Sequence, residues 1–567
     1  MPELVIGERR RAVSRPWRAA GIALGMLGLV LVVTWFIYRR TVTYEAPPGS
    51  VSGAVTSVQA GPGAPPALTY GGASLTWAGG IAVLRVTGDA HAIGAAHGRL
   101  LAPHLRAAVR ATNPSIESTV THGGMFSELT RNMRLAWRWR FVDDGLIDQD
   151  RRMVAGIVRG ASASGVELSF EQLVRAQAVL DVGAPSPRSG EVEHKNLALS
   201  LTVVAPQAQA PARVWVGRTF ALPGLDDGGD FALPVVTIAR PEGRVAWAGI
   251  GWPGEVGVVS GVNANGIAVF VEPARTSDVH ATRVARPVAL LARTVLEQAK
   301  TLDEAIKLFE TTPTLGTAVI AIVDGSSGKW VQVERTPSKA IVERAPKAPA
   351  VGNVLTTNAL SDDPDNDRAR RFLPVMQRVE RATRLVRTPL TDAAAMAAIL
   401  RDQRSLDDVV RPSGHRGVID DGRAVHTIVL DPASMELWVG DPSATQRMRA
   451  FDLRYELRRE GDRASPPADL LADPAADPAR RATLLAARAD LREARAFRDR
   501  GELDRAAEAC ARARARAPGL PEALELEGMI ALARGDTVRA REALQAWIDG
   551  GSDNPKAEER ARSLLAR

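Results

Sequence analysis

The sequence predicts an α+β chain in three parts: one transmembrane helix, a domain of layered sheets and helices, and an α-helical repeat region. Three observations carry this. Residues 19–38 form a run without charge, short β-branched strands alternate in blocks with helices from about 75 to 457, and a helical motif recurs after residue 478. At 567 residues, the chain is long enough for two to four units. Its 45% apolar and 24% charged content is that of globular protein.

Ala19 to Tyr38 (AAGIALGMLGLVLVVTWFIY) matches the roughly 20 residues needed to cross a hydrocarbon core. Trp35 and Tyr38 lie near one end, as interfacial aromatics do. Arg39-Arg40 follow at once, where a cleaved signal would carry small residues, so a retained single-pass anchor is expected. Arg9, Arg10, Arg11, Arg15 and Arg18 precede the run, which places residues 1–18 in the cytoplasm and the bulk of the chain outside it. Residues 39–77 are rich in Pro, Gly and Ser and read as a flexible linker.

Residues 78–457 form the mixed domain. Its expected strands include Val203-Val204, Val235–Ile238, Val256–Val259, Ile267–Val271, Ala318–Val323, Trp330–Val333 and Thr427–Leu430; Val288–Glu297 and Leu302–Phe309 are helical. Strands and helices in blocks imply layered sheets rather than a regular parallel sheet. Residues 465–567 are helix-forming throughout. Arg500-Gly501-Glu502-Leu503-Asp504-Arg505-Ala506 matches Arg534-Gly535-Asp536-Thr537-Val538-Arg539-Ala540 at an offset of 34 residues. That period resembles tetratricopeptide repeats. Two repeats are too few to stand alone, so they should pack on the preceding domain and could dock a protein partner.

The net charge of +7 is spread along Ala/Arg helices and aromatics are 5%, so a nucleic-acid site is not expected. The single cysteine, Cys510, excludes a disulfide framework and reads as a buried thiol. Eight histidines show no metal spacing, and no phosphate loop is present. No metal or cofactor is expected. His97 and His426 read as locally hydrogen-bonded.

The functional motifs run in a recognisable order. They begin with Gly88-Asp89-Ala90-His91-Ala92-Ile93-Gly94-Ala95-Ala96-His97-Gly98, continue through Ala155-Gly156-Ile157-Val158-Arg159-Gly160 and Gln172–Gln177 to Asp181, and reach Gly217-Arg218 and Gly261-Val262-Asn263-Ala264-Asn265-Gly266. Val333-Glu334-Arg335-Thr336-Pro337, Thr356-Thr357-Asn358 and His426–Val429 close the series. In this order they resemble the penicillin acyltransferase-type family of autoproteolytic acyltransferases and hydrolases, of the N-terminal-nucleophile superfamily. The resemblance implies a four-layer α/β/β/α domain, self-cleavage before a nucleophile, and a freed α-amino group acting as general base. It implies a small amide or acyl substrate.

The family's Cys is absent. Ser200 in its place would leave an N-terminal serine nucleophile. If Leu201 takes the position, with Thr202 behind it, the site is dead; the gap-free alignment favours Leu201 facing the pocket. The resemblance makes Arg218 the group beside the nucleophile, Asn263 and Asn358 the oxyanion donors, and Arg371 a pocket-lining cation. It leads us to expect Arg218, Asn263 and Asn358 in one pocket. The family's Asp is Ala221 here, and Asp226, Asp227 and Asp230 are nearby carboxylates. The structural readings are an Asn-containing turn at Asn263, a helix-surface Arg371, and plain strand residues at Ser200 and Thr202. Two functions follow: an acyltransferase or amidohydrolase acting on linear amide bonds with a degenerate site, or an inactive scaffold that binds a ligand or protein.

Overall fold

The computed structural model describes the chain from Arg15 to Ala566, apart from residues 60, 62–64, 113–132, 134–135, 138, 183–198, 211, 223–232, 280–282, 345, 347, 358–359, 373, 445, 459–466 and 475. Two sheets lie face to face. The larger has eleven strands in the order Thr56–Val58, Ala67–Tyr70, Ala73–Ala78, Ile81–Gly88, Val235–Pro241, Trp247–Gly251, Ser260–Asn263, Ile267–Ala274, Thr317–Asp324, Trp330–Arg335 and Ala340–Arg344. The smaller has six, in the order Ala350–Gly352, Leu199–Pro206, Val214–Ala221, His426–Asp431, Glu436–Gly440 and Met448–Asp452. Neighbours are antiparallel except Ile81–Gly88 and Val235–Pro241, which run parallel.

Alternating side chains divide the core into three layers. Leu84, Val86, Val269, Val271, Ile320 and Ile322 pack beneath the helices Ala90–Leu100, Ala102–Thr112, Asp148–Ser162, Val288–Gln298 and Leu302–Thr311. Val83, Val236, Ala268 and Phe270 on the other face of that sheet meet Val204, Val216, Ile428 and Leu430 of the smaller one. Leu201, Val203, Trp215 and Val429 then pack on Val375–Leu385 and Ala393–Leu400. The result is the four-layer α/β/β/α arrangement expected.

The glycine-spaced motifs have a packing cause. A Cβ at Gly94 would sit 2.1 Å from the Met153 carbonyl oxygen, and one at Gly98 would sit 2.2 Å from that of Ile157. Reciprocally, Cβ atoms at Gly156 and Gly160 would each lie 2.4 Å from backbone oxygens of the opposing helix. Only residues without a side chain let these two helices cross backbone to backbone.

Two expectations change. Ala67–Tyr70 and the strand from Ala73, both within the 39–77 stretch expected as linker, belong to the large sheet, because Leu68 and Leu75 pack onto the core under the outer helices. Val256–Val259 is not a strand. Pro253 and Gly254, the latter at φ 86°, turn the chain there, with Glu255 N donating to Trp252 O at 3.1 Å, and pairing starts only at Ser260.

After the sheets come the helices Arg480–Asp499, Leu503–Arg516, Pro521–Ala533, Thr537–Asp549 and Pro555–Leu565. Gly501 and Gly535, one period apart, close the first and third at the same φ of 77°. Ala494 is buried, and a Cβ on Gly528 would meet Leu544 at 2.6 Å, so both are small where helices cross. The region packs on the sheet domain: Leu484 and Leu520 lie against Gly414, and Arg423 reaches Glu522 at 3.1 Å. Cys510 is buried, and burial pushes its thiol up to about 12.

Candidate active site

A polar cluster interrupts the apolar interface between the sheets. In Leu199–Pro206, Leu201, Val203 and Ala205 face the outer helices, so the alternate residues Ser200, Thr202 and Val204 face inward. In Val214–Ala221 the same alternation turns Val216, Arg218 and Phe220 inward, and Arg218 pairs across the ladder with Thr202. Ile267–Ala274 contributes Ala268, Phe270, Glu272 and Ala274 to the same interface.

These residues meet. Arg218 Nη2 lies 3.5 Å from Glu272 Oε2, and Arg218 Nη1 donates to Val259 O at 2.9 Å. Arg218 Nη2 also donates to Val271 O, and Thr202 Oγ1 donates to Glu272 Oε1. Ser200, Thr202, Arg218 and Glu272 are all 0% exposed. Ser200 Oγ is near enough to favour the Glu272 carboxylate, yet makes no aligned hydrogen bond among the described residues. Burial raises the Glu272 pKa against the pull of Arg218, Ser200 and Thr202. Burial likewise lowers that of Arg218, with Glu272 opposing.

A second pair borders the first. Ser260 Oγ and His426 Nε2 are 2.8 Å apart, and the His426 ring stacks on Phe220 at 5.1 Å. Phe220 in turn stacks on Trp252 at 6.1 Å. Burial, and then Arg218, hold the imidazole well below 6.5, so it is neutral at pH 7. His97 is also locally bonded, accepting from Gly254 N at 2.9 Å; burial lowers it to about 4. Asp181 accepts from Val288 N at 2.9 Å and Gly316 N at 3.0 Å, and burial raises it to about 7.

The expected residues are not all here. Ser200 and Arg218 are in the cluster. Leu201, expected to face it, packs instead against the outer helices with Val203 and Ala205, because consecutive strand residues point to opposite faces. Asn263 is elsewhere. Its amide donates to Leu296 O at 3.0 Å and Ala299 O at 2.7 Å in the outer helix layer, and its oxygen accepts from Asn265 N and Ile267 N, each at 3.0 Å. It closes the far end of the strand Ser260–Asn263, whereas the Val259 carbonyl that holds Arg218 precedes that strand's first residue. The turn reading is therefore the one the geometry fits. Arg371 sits on the exposed face of its helix, 2.9 Å from Asp367, and does not join the cluster. Asn358, Asp226, Asp227 and Asp230 lie outside the described residues.

Asn263→Ala removes the side-chain partner of the Leu296 carbonyl and of the Asn265 and Ile267 amides, and leaves Ala299 O only the 3.4 Å bond from Asn265 Nδ2. The expected loss is about 2–3 kcal/mol of stability, read from a urea unfolding midpoint, with chemistry at the cluster intact in the folded protein.

Sequence reasoning missed Glu272. Its signal was a lone carboxylate in the otherwise uncharged strand IAVFVEPA. A charge in a buried strand needs a partner, and Arg218 is that partner.

Residues 236–442 match the family model "Acyl-coenzyme A:6-aminopenicillanic acid acyl-transferase". That match spans less than half of the chain. Among curated proteins no sequence matches. Among solved structures, one similar chain is a Caenorhabditis elegans N-acylethanolamine-hydrolyzing acid amidase ortholog, at 17% identity and TM-score 0.30, covering 41% of this chain and 93% of that one. Two more are mutant forms of the conjugated bile acid hydrolase from Clostridium perfringens. The first has 13% identity and TM-score 0.30, covering 48% of this chain and 97% of that one. The second has 11% identity and TM-score 0.29, covering 49% and 100%. A cavity of about 100 Å³, lined by Leu400, Arg401, Val425, His426, Met448 and Arg481 among others, lies against the small sheet and borders the second pair at His426. Ser200, Thr202, Arg218 and Glu272 are themselves closed off from solvent.

Proposed function

We propose that this chain is a membrane-anchored acyltransferase or amidohydrolase acting on a linear amide, with Ser200 as an N-terminal nucleophile. The observation that carries the reading is the inward direction of Ser200 beside Glu272 and Arg218. Ser200 Oγ attacks the Leu199 carbonyl, the peptide bond becomes an ester, and water hydrolyses it to a Leu199 carboxylate and a free Ser200 α-amine. That amine then takes the Oγ proton as Ser200 attacks the substrate amide. The substrate's amine leaves with a proton, and water or an acceptor nucleophile releases the acyl group.

Glu272 serves where Ala221 stands in place of the family's Asp. It fixes Arg218 and the Thr202 hydroxyl, and so the positions of charge around Ser200. Asn358 is retained in this reading as an oxyanion donor. The apolar helix is the anchor and the C-terminal hairpins, tetratricopeptide-like in period, are a surface for a protein partner. The complete burial of Ser200 and Arg218 favours the second reading, a scaffold that binds without turnover.

The test is hydrolysis of N-acyl amide substrates by Ser200→Ala and Leu201→Ala. Loss of all activity in the first, with activity kept in the second, is expected. Activity that survives in Ser200→Ala contradicts the assignment.

A further inference from the structure

The end of the apolar helix touches the domain through aromatic rings. Tyr38 lies within the apolar stretch Ile22–Val42. Its hydroxyl donates to Met133 O at 2.8 Å, and its ring stacks on Trp35 at 5.8 Å and on Trp137 at 6.1 Å. Trp137 opens the sequence Trp137-Arg138-Trp139-Arg140-Phe141. The Arg140 guanidinium lies 4.3 Å from the rings of both Trp137 and Phe141. Trp139 is buried, but Trp137 is 45% exposed.

The chain leaving the helix cannot carry the domain away from this contact. Tyr44 is buried, its hydroxyl donates to Trp139 O, and the Arg175 guanidinium lies 5.4 Å from its ring. Arg151 donates to Glu45 O at 2.7 Å, and Arg159 donates to Pro47 O. Within five residues of the helix end the backbone is bound to the domain. The face bearing Trp137 therefore stays at the level of Tyr38, Arg39 and Arg40, where a spanning helix passes from hydrocarbon to headgroups.

We propose that Trp137, Arg140 and Phe141 form a second membrane contact, seated at the lipid interface beside the helix end. Trp137 and Phe141 meet the acyl boundary, and Arg140, with the exposed Arg39 and Arg40, meets anionic headgroups. This rests on the reading of the apolar helix as an anchor. The domain is then clamped to the bilayer at two points rather than suspended on a tether.

The experiment uses the full chain in vesicles of equal parts phosphatidylcholine and phosphatidylglycerol. Single cysteines at Trp137→Cys, Val32→Cys and Val538→Cys carry an environment-sensitive fluorophore. Buried Cys510, with its raised pKa, does not compete for the label. Nitroxides placed just below the headgroup should quench position 137 strongly and leave position 538 unchanged, while deep nitroxides quench position 32. Arg140→Cys gives the same readout should Trp137→Cys fold poorly. Quenching at 32 with none at 137 or 140 overturns this proposal and keeps the anchor. No quenching at 32 overturns the anchor and this proposal together.

Discussion

Glu272→Ala is expected to lose about 3–5 kcal/mol of stability and all chemistry at the inter-sheet cluster. The size follows from what the substitution leaves behind. Arg218 is 0% exposed, and its remaining acceptors are the carbonyls of Val259 and Val271. Removing one partner of a fully buried ion pair strands the other charge, and that costs more than the pair itself contributes. A double variant separates architecture from chemistry. Glu272→Leu with Arg218→Met replaces the pair by apolar groups of similar volume, which is often neutral in stability. It should recover the unfolding midpoint of the native protein and remain inactive. A double variant that is stable and active would mean that the pair has no part in the reaction.

The second large effect is expected at the seam between the domain and the C-terminal helices. Glu522 is 8% exposed and lies 3.1 Å from both Arg423 and Arg495, with Arg488 at 3.9 Å. Burial works against its charge, but Arg488, Arg495, Arg423 and Arg416 hold its pKa well below 4.5. Glu522→Ala removes the carboxylate shared by Arg423, Arg488 and Arg495 at a nearly buried seam, leaving Arg423 with Asp421 at 2.9 Å. A loss of about 3–5 kcal/mol follows, and limited proteolysis should then release the segment after residue 478. The pH dependence has a definite sign. A carboxyl whose folded pKa lies below its unfolded one contributes its stability above the unfolded value and loses it as pH falls through the folded one. The native protein should therefore weaken as pH drops below about 4.5, and Glu522→Ala should show a flatter acid limb. An unchanged acid limb would contradict the role given to Glu522.

Periodicity carried most of the architecture, because burial of alternate residues in strands and of one face in helices is written directly into composition. The crossing of the helices at Gly94, Gly98, Gly156 and Gly160 was visible as glycine spacing, and the hairpins at Gly501 and Gly535 as a repeat. The site was legible only in part. Gly217-Arg218 located one half of the buried pair. Glu272 stood in plain view, but pairing between the two sheets joins residues 54 positions apart, which no local pattern records. Asn263 misled because an Asn that closes a hairpin and an Asn that donates to an oxyanion look alike in one dimension; only the direction of the side chain separates them. The same holds for Ser200 and Leu201, whose roles depend on strand parity. Residues 67–77 looked like linker because the Pro- and Gly-rich stretch before them masks two short strands, the second of which pairs with Ile81–Gly88 and the first with the second.

The central claim, that Ser200 is a nucleophile released by self-cleavage, is tested most directly by the intact mass of purified wild-type and Ser200→Ala chains. The account predicts two wild-type fragments divided between Leu199 and Ser200, and a single uncut chain for Ser200→Ala. A wild-type chain that remains whole, with the same mass pattern as the variant, would contradict it.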